Sequence, residues 1–371
     1  MGTKKNGLEL YLHIPFCIKK CDYCDFLSGP STRAGQEAYI YALLREMKAV
    51  SAIEKRTVDT VFIGGGTPSV PECGIMEKLL QGIGKNFQLA ADAEVTIEAN
   101  PGTLTPEKLA LYRRYGINRI SIGLQSPENQ ELRALGRIHN YQQFLESYHM
   151  AREAGFSNIN IDLMFAIPGQ SYEGWIQNLR TVAKLGPEHI SAYSLIIEEG
   201  TPFSARKLDL PDEDTEYRMY EDVAAVLGKY GYYQYEISNY AKKDRNCRHN
   251  EGYWQRKDYL GLGLGAASLV GRERFTNTSD MSEYLENSGN LEKIRTDRET
   301  LTREDEMGEF MFLGLRMTKG VSKKDFQEYF GTSIEKIYGE VLEKYKKQGL
   351  LLEEDGRICL SRAGIHVSNA V

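Results

Sequence analysis

Three cysteines near the start of the chain, Cys17, Cys21 and Cys24, lie within eight residues of one another. Thiolates on one short loop can converge on a metal ion or on an iron–sulfur cluster. Three ligands to a four-iron cluster leave one iron without a protein ligand, so that iron can bind a small molecule. The spacing therefore predicts an open and reactive coordination site.

Two other uses of these cysteines need consideration. Six cysteines in total allow a disulfide framework, but no positively charged start precedes an apolar stretch, which predicts a reducing cytoplasm where disulfides are rare. The remaining cysteines, Cys73, Cys247 and Cys359, are scattered singly. A structural zinc site needs a fourth ligand. The nearest histidine, His13, lies on a predicted strand, so zinc fits the loop less well than a cluster does.

Length and composition limit the class of protein. The 371 residues (42.1 kDa) accommodate one barrel-sized domain and a smaller one. A net charge of -6 and a pI near 5.7 argue against a general nucleic-acid-binding protein. No apolar run is long enough to span a membrane. We therefore expect a cytoplasmic protein without a transmembrane segment and without a nucleic-acid partner.

The first two hundred residues alternate β-branched runs with longer helical patterns, which is typical of repeated βα units around a parallel sheet. The pattern predicts strands over 8–14, 58–63, 94–98, 119–122, 158–163 and 189–195. Helices are predicted over 32–50, 105–115, 141–154 and 172–184. A closed barrel of this kind has eight strands. The six strands found here therefore predict a partial (β/α)6 TIM-like barrel with an open side.

Polar residues follow five of the six predicted strands. The cysteine loop follows the first strand, and Gly65-Gly66-Thr67 follows the second. Glu98, Gln125 and Asp162 lie at or near the ends of the next three. Barrel enzymes carry their chemistry at the carboxyl ends of the strands. The sequence therefore predicts one functional rim.

The pattern changes after about residue 200. A turn-rich linker near residues 211–214 precedes a helix, a tyrosine-rich strand that runs to Tyr240, and a glycine-rich segment. From Thr302 onward, helices and a hairpin turning at Asp355-Gly356 are typical of a winged helix. We expect a core over residues 1–230, a middle region over 231–300, and a smaller C-terminal α+β module over 301–371.

The cysteine spacing, with Tyr23 just before the last cysteine, resembles the signature of the radical S-adenosylmethionine (SAM) superfamily. The resemblance implies a radical-SAM-type α/β fold and a 4Fe-4S cluster on the three cysteines. SAM would bind the open iron through its amino and carboxylate groups, and an electron from the cluster would cleave it. The cofactor carries the difficult chemistry, and the protein positions it.

The resemblance also assigns SAM-binding roles to residues of the predicted rim. Tyr11 matches a tyrosine near the sulfonium, and Gly65, Gly66 and Thr67 match the motif that binds the amino group. Glu98 and Asp162 match carboxylates that hold the nucleoside. Gln125 and Arg137 match residues that complete the site, with Arg137 facing the SAM carboxylate.

Within the superfamily, the chain is similar to the branch that contains oxygen-independent coproporphyrinogen III oxidases and HemW-type heme chaperones. The oxidases carry a further cysteine where this chain has Phe26, and their N-terminal extension is longer. His249-Asn250-x-x-Tyr253-Trp254 is similar to a heme-associated motif of the chaperones. These features favour a heme chaperone over an oxidase.

The chaperone resemblance implies heme as a third cofactor, with His249 as the candidate iron ligand. Cys247 is a weaker candidate, and a purely structural role for His249 stays open. Arg272 and Arg274 can pair with heme propionates. The implied protein partners are a heme acceptor and an electron donor such as flavodoxin or ferredoxin. The alternatives are a radical SAM coproporphyrinogen III oxidase and a radical enzyme that modifies heme.

Overall fold

The computed structural model describes residues 7–368, so the outermost residues of the first and last predicted domains, 1–6 and 369–371, lie outside the description. Six strands run parallel, and each pairs with the next in chain order. They are β1 (Leu8–Ile14), β2 (Val58–Gly65), β3 (Leu89–Ala99), β4 (Arg119–Gln125), β5 (Ile159–Phe165) and β6 (His189–Ser194). Each overlaps one strand that the sequence predicts.

Helices connect these strands and cover one face of the sheet, because right-handed crossovers place successive helices on the same side. They are α1 (Arg33–Ile53), α2 (Cys73–Asn86), α3 (Pro106–Arg114), α4 (Asn129–Ala134), α5 (Tyr141–Glu153) and α6 (Tyr172–Leu185). Leu8, Leu10 and Leu12 belong to the large apolar core with the helices. Because side chains alternate along a strand, Glu9, Tyr11 and His13 point to the opposite, inner face.

The sheet extends beyond the six parallel strands at both ends. After α7 (Glu213–Gly228), the short strands β7 (Tyr233–Gln234) and β8 (Asn239–Ala241) pair antiparallel, and β8 joins β6. The prediction of a single tyrosine-rich strand up to Tyr240 is therefore wrong, because the segment forms two short strands. A turn interrupts it, in which the main-chain N–H of Ser238 donates to the Glu236 carboxylate at 2.8 Å.

On the other side of β1, the sheet continues with strands that the sequence does not predict. After α8 (Arg248–Trp254), β9 (Tyr259–Leu262) pairs parallel with β1. Within residues 7–368, the antiparallel strands that follow complete a sheet of twelve strands. The remaining elements of this region are β10 (Ala267–Val270), β11 (Glu273–Asn277), α9 (Met281–Asn287), α10 (Leu291–Ile294) and β12 (Arg295–Thr300).

The C-terminal module has the element order of a winged helix and an apolar core of its own, which includes Phe326, Phe330 and Ile358. Its antiparallel sheet has the order β13, β15, β14. No helix within residues 7–368 combines the length and the apolar character needed to cross a bilayer. The elements are α11 (Arg303–Gly314), β13 (Val321–Ser322), α12 (Lys323–Phe330), α13 (Ile334–Lys347), β14 (Leu351–Glu354), β15 (Arg357–Leu360) and α14 (Arg362–His366).

Helix α8 packs against the inner face near the amino ends of the strands. The buried Glu94 carboxylate accepts hydrogen bonds from the main-chain N–H groups of Arg248 and His249, each at 3.1 Å. These donors lie at the start of α8, where a helix favours negative charge. A Cβ atom on Gly252 would lie 1.8 Å from the carboxylate of Glu9. A side chain at this position therefore requires the Glu9 carboxylate or the helix to shift.

We expect Gly252→Ala to lower the free energy of unfolding by roughly 1–3 kcal/mol, because the added methyl group must displace the buried Glu9 side chain or the helix. Urea denaturation measures the loss. Gly308→Ala is the matched control, since it also lies within a helix and its Cβ would meet no atom within 4 Å. Equal effects of the two substitutions would contradict the packing argument.

The environment of Glu9 makes folding sensitive to pH. Burial raises the pKa of this carboxyl to about 8; Lys257 lowers the pKa, whereas Glu94 and Asp59 raise it. Lys257 Nζ lies 3.7 Å from the carboxylate. A carboxyl with a raised pKa stabilises the folded state at low pH, and this contribution is lost as the pH rises from about 4.5 to about 8.

We therefore expect the free energy of unfolding to fall more steeply with pH in the parent protein than in Glu9→Gln over this interval. The difference should reach a few kcal/mol, on the order of 1.4 kcal/mol for each unit of pKa shift. Denaturation at a series of pH values measures it. Other buried carboxyls titrate in both proteins, so parallel curves would exclude Glu9 as the cause.

Candidate functional site

A cavity of about 420 Å³ lies at the carboxyl ends of the parallel strands, and we call it the rim cavity. Most of the predicted site residues share it, although they come from distant parts of the chain. The residues in this group are Cys17, Cys21, Cys24, Gly65, Gly66, Glu98, Gln125, Arg137 and Asp162. The parallel order of the strands explains this convergence, because it brings all their carboxyl ends to one edge.

The three cysteines lie on the loop after β1 and are partly exposed as free thiols. Thr67 Oγ1 lies 3.7 Å from Cys17 Sγ, and Arg137 Nη1 donates to Cys21 Sγ at 3.4 Å. Burial raises the pKa of the Cys24 thiol. Iron must therefore displace a proton to bind this sulfur as a thiolate.

The donor set fits a four-iron cluster. Within residues 7–368, no three His, Cys, Asp or Glu side chains converge on a point that would hold a single metal ion. A four-iron cluster does not need its ligands to converge on one point, because each cysteine binds a different iron atom. The three sulfurs border an open cavity, which leaves space for the cluster and for a ligand on its fourth iron.

The glycines at the end of β2 form the wall beside the cysteine loop, since the Thr67 N–H donates to the carbonyl oxygen of Phe16 at 2.7 Å. Gly65 has a φ of 111°, which a residue with a side chain rarely adopts. Its N–H donates to Glu98 at 3.1 Å. A Cβ on Gly66 would lie 2.8 Å from the carbonyl oxygen of Phe16. Glycine is therefore required at both positions, and both residues line the rim cavity.

Two carboxyls, Glu98 and Asp162, face the same cavity. Burial raises the pKa of Glu98 to about 8, and the nearby Asp162 adds to the rise. Burial also raises the pKa of Asp162, although Asn160 Nδ2 donates to it at 2.6 Å and Ser121 Oγ at 3.2 Å. Carboxylate oxygens are acceptors for hydroxyl donors such as those of a ribose, so this wall fits the nucleoside part of SAM.

Arg137 and Gln125 occupy the floor between the cysteines and the carboxyls. Arg137 Nη2 donates to the carbonyl of Gly123 at 2.6 Å, whereas its buried Nε has no partner. Gln125 has a φ of 68°, and its side-chain oxygen accepts from the Tyr193 hydroxyl at 2.8 Å. An unpartnered guanidinium N–H beside an open cavity fits an anionic group such as the SAM carboxylate.

Three of the predicted site residues, Tyr11, Thr67 and His249, are not among the described residues that line the rim cavity. Thr67 is adjacent, and its hydroxyl accepts from Asn100 Nδ2 at 2.8 Å. Tyr11 lies deeper on the inner face, where its hydroxyl is 3.0 Å from His13 Nδ1. His249 lies near the amino ends of the strands, where its Nδ1 is 2.7 Å from Thr60 Oγ1.

The rim cavity also contains polar residues that the sequence reasoning missed, namely Asn100, Ser121 and Tyr193. Tyr193 lies on β6, so the sixth strand also supplies the rim. Ser121 and Tyr193 alternate with the buried residues Ile120 and Ala192 of the apolar core. This period of two along each strand was the available signal.

Comparisons with known proteins agree with this geometry. The family model of the radical SAM superfamily matches residues 11–182, and that of the HemN C-terminal domain matches residues 301–367. Heme chaperone HemW of Bacillus subtilis (strain 168) is 36% identical over 97% of this chain and 97% of its own length. Heme chaperone HemW of Escherichia coli (strain K12) is 38% identical over 95% and 93%.

The chain belongs to the HemW family of the radical SAM superfamily. The structure of coproporphyrinogen III oxidase (HemN) from Escherichia coli, described as a radical SAM enzyme, has the same fold as this chain. It is 24% identical, has a TM-score of 0.87 and covers 98% of this chain and 88% of its own. The similarity confirms the predicted fold, a radical-SAM-type α/β barrel with a smaller C-terminal domain.

We expect Asp162→Asn to weaken SAM binding roughly tenfold or more, because a hydrogen bond to a charged acceptor contributes about 1.5–3 kcal/mol. Isothermal titration of the anaerobically reconstituted protein measures the affinity. Glu131→Gln is the matched control, since Glu131 is also a buried carboxyl with side-chain partners but does not line the rim cavity. Unchanged affinity in Asp162→Asn would remove this residue from the nucleoside wall.

Proposed function

We propose that the protein is a heme chaperone that carries a 4Fe-4S cluster and SAM, binds heme, and transfers it to an acceptor protein. The observation that carries the proposal is identity of 36–38% to heme chaperones over nearly the whole chain. Cys17, Cys21 and Cys24 would hold the cluster, which supplies electrons to SAM when bound. The walls of the rim cavity would orient SAM beside it.

Coproporphyrinogen oxidation is the less supported alternative. The solved oxidase shares the fold at 24% identity, which does not carry its activity to this chain. Phe26 also stands where the resemblance places a further cysteine of the oxidases, and its side chain is 62% exposed. This position supplies an apolar surface instead of a thiol.

His249 is the proposed heme ligand, and its surroundings keep the imidazole in the protonation state that binds iron. Burial lowers its pKa to about 3, and Arg119 and Lys257 lower it further, so the ring is neutral at physiological pH. Neutral imidazole is the form that ligates metals. Its Nε2 lies 3.0 Å from the Tyr253 hydroxyl. Ligation through this nitrogen therefore requires Tyr253 to move.

The proposal includes partners that the sequence resemblance implies. An acceptor must receive the heme, and an electron donor such as flavodoxin or ferredoxin must reduce the cluster. The protein itself would act in the cytoplasm, and the resemblance implies an acceptor at the membrane. The cysteine loop carries exposed side chains, including Ile18 and Phe26, and Phe26 lines the rim cavity, so an electron donor would approach the cluster from this side.

Heme titration of the full chain, followed by Soret absorbance, tests the proposal. We expect saturable binding of one heme, and at least tenfold weaker binding in His249→Ala, because loss of an axial ligand removes the bond to iron. His189→Ala is the matched control. His189 is also completely buried, with hydrogen bonds to Asn160 at 2.6 Å and to Tyr235 at 2.8 Å.

A parallel incubation with coproporphyrinogen III, SAM and a reductant distinguishes the alternative. Heme binding without decarboxylated product supports the chaperone. Decarboxylated porphyrinogen together with 5′-deoxyadenosine, and no saturable heme binding, would overturn it. Equal heme affinity in the parent and in His249→Ala would leave the chaperone proposal intact but would remove His249 as the ligand.

A further inference from the structure

A second cavity, of about 530 Å³, lies where the C-terminal module meets the barrel, and we call it the junction cavity. One wall comes from Arg56 and from residues 254–258, at the end of α8 and before β9. The other wall comes from α11, α12, β15 and residues 317–322. None of the described residues that line it borders the rim cavity. Its volume lies in the range of small-molecule sites, roughly 300–1,000 Å³.

Hydrogen bonds fix the wall that the C-terminal module supplies. Arg357 Nε donates to the carbonyl oxygen of Lys319 at 2.7 Å, and Arg357 Nη2 donates to that of Gly320 at 2.7 Å. The N–H of Thr318 donates to the carbonyl oxygen of Tyr235 at 3.0 Å, which attaches the same segment to the barrel. The cavity is therefore a fixed part of the fold, and a ligand finds its walls already in place.

Basic side chains line the junction cavity from both walls. Lys257 Nζ lies 3.7 Å from Glu9, but burial raises the pKa of Glu9 to about 8, so this carboxyl is mostly uncharged at neutral pH. Arg357 donates to main-chain carbonyls, which carry no net charge. Five lining residues are basic and two are acidic, namely Arg56, Arg256, Lys257, Lys319 and Arg357 against Asp258 and Asp325. This excess of positive charge attracts anions.

Two buried donors at the cavity lack an acceptor. The indole N–H of Trp254 and Nη2 of Arg256 are buried, and among the residues that the structure describes neither has a hydrogen-bond partner. The Arg256 side chain is only 5% exposed. A buried N–H without an acceptor is costly, and the oxygen atoms of an anion in the cavity would remove that cost. The lining therefore suits a ligand that is rich in acceptor oxygens.

The distribution of the charges favours a compact anion with several oxygen atoms. Lys257 belongs to the barrel wall, whereas Lys319 and Arg357 belong to the wall of the C-terminal module. A ligand that contacts both walls must present oxygens in more than one direction, as linked phosphates do and a single carboxylate does not. Lysine and arginine are the side chains that bind phosphate groups in proteins. Phe310 and Tyr329 offer apolar surface to an attached organic group.

We propose that the junction cavity binds a pyrophosphate group, either free or as part of a nucleoside diphosphate or triphosphate. Lys257, Lys319 and Arg357 contact its oxygens, and the buried N–H groups of Trp254 and Arg256 complete the site. The bound group bridges the barrel and the C-terminal module. The site is independent of the heme-chaperone proposal, because it shares no lining residue with the rim cavity and does not include His249.

Titration of the full-length protein with inorganic pyrophosphate tests the proposal. The protein is reconstituted anaerobically and kept in excess SAM, so that nucleotides do not enter the rim cavity, and the ionic strength is held constant. Calorimetry measures the affinity. Trp254 supplies a second signal, because the chain has two tryptophans and the other, Trp175, is completely buried and does not line the cavity. We expect saturable binding of one pyrophosphate with a change in fluorescence.

We expect Lys319→Gln to weaken pyrophosphate binding roughly threefold or more, because it removes a positive charge from the lining. Lys319 is exposed, so the substitution leaves the apolar core intact. Lys324→Gln is the matched control. Lys324 is also an exposed lysine of the C-terminal module, but it pairs with Glu328 and does not line the cavity. Equal losses in the two variants would mean that only the general charge of the module matters, and would overturn the site.

Asp325→Asn should change the affinity in the opposite direction. Asp325 lines the junction cavity and is exposed, and loss of its negative charge should strengthen pyrophosphate binding several-fold. Glu328→Gln is the control, since Glu328 is an exposed carboxylate of the same helix outside the cavity. A variant that is merely damaged loses affinity and does not gain it. Thermal melts show whether each variant is folded.

Parallel titrations with ADP and adenosine identify the source of the pyrophosphate group. Tighter binding of ADP than of pyrophosphate supports a nucleotide, and the reverse supports the free anion. Adenosine binding as tightly as ADP would overturn the proposal, because the phosphates would then contribute nothing. Absence of saturable binding of pyrophosphate and ADP would also overturn it, as would unchanged affinity in both Lys319→Gln and Asp325→Asn. These outcomes leave the heme-chaperone proposal untouched.

Discussion

Main-chain hydrogen bonding between parallel strands in chain order is the constraint on which the site depends. The pairing sets Glu98 opposite Ser121 and Gly123 opposite Asp162. These partners bring together carboxyls that lie more than sixty residues apart in the sequence. A slip of one residue would turn the side chains of a strand to its other face. Asp162 would then enter the apolar core, and the rim cavity would lose a wall.

The opposite end of the barrel is also polar, but its polar groups are enclosed. Glu9, Glu94 and Arg119 are buried near the amino ends of the strands, and α8 packs over them. The His-Asn-x-x-Tyr-Trp motif forms most of this helix, so its residues serve packing as well as any role in binding. Tyr253 and Trp254 line a cavity of about 390 Å³ beside β9, whereas His249 faces the interior. One short helix thus packs over this end of the barrel and borders that cavity.

Much of the fold could be predicted because its signals are local. The six parallel strands are short β-branched runs, and the four predicted helices begin with Ser, Thr or Asn side chains that cap their first turn. Helices α2, α4 and α8 were missed. None of them has a side-chain hydrogen bond at its N-cap, where Glu72, Glu128 and Cys247 stand. Helices α9, α10 and α14 were also missed, although side chains cap them, because seven residues or fewer show little helical periodicity. Strand β9 was missed because its pairing with β1 joins segments that are distant in the sequence. Strands β10 to β12, which pair with β9 and with one another, were missed as well.

The candidate site likewise has residues that local sequence signals predict and residues whose place depends on long-range contacts. The cysteine loop and the rim residues follow strand ends, so their convergence could be predicted from the order of the strands. The enclosure of His249 could not, because it depends on Thr60 and Phe62 of β2, which lie far away in the sequence. The cavity beside β9 also has no sequence signal, since its lining comes from four separate segments of the chain.

The hydrogen bonds of His13 fix the direction in which the Tyr11 hydroxyl can act. His13 Nε2 lies 2.8 Å from the carbonyl oxygen of Leu27, which can only accept, so Nε2 carries the proton. Burial lowers the pKa of His13, and the neutral ring therefore has a lone pair on Nδ1. The Tyr11 hydroxyl, 3.0 Å away, donates its hydrogen there. Tyr11 also lines the cavity beside β9, and toward any molecule there the phenolic oxygen is consequently an acceptor with no hydrogen left to offer.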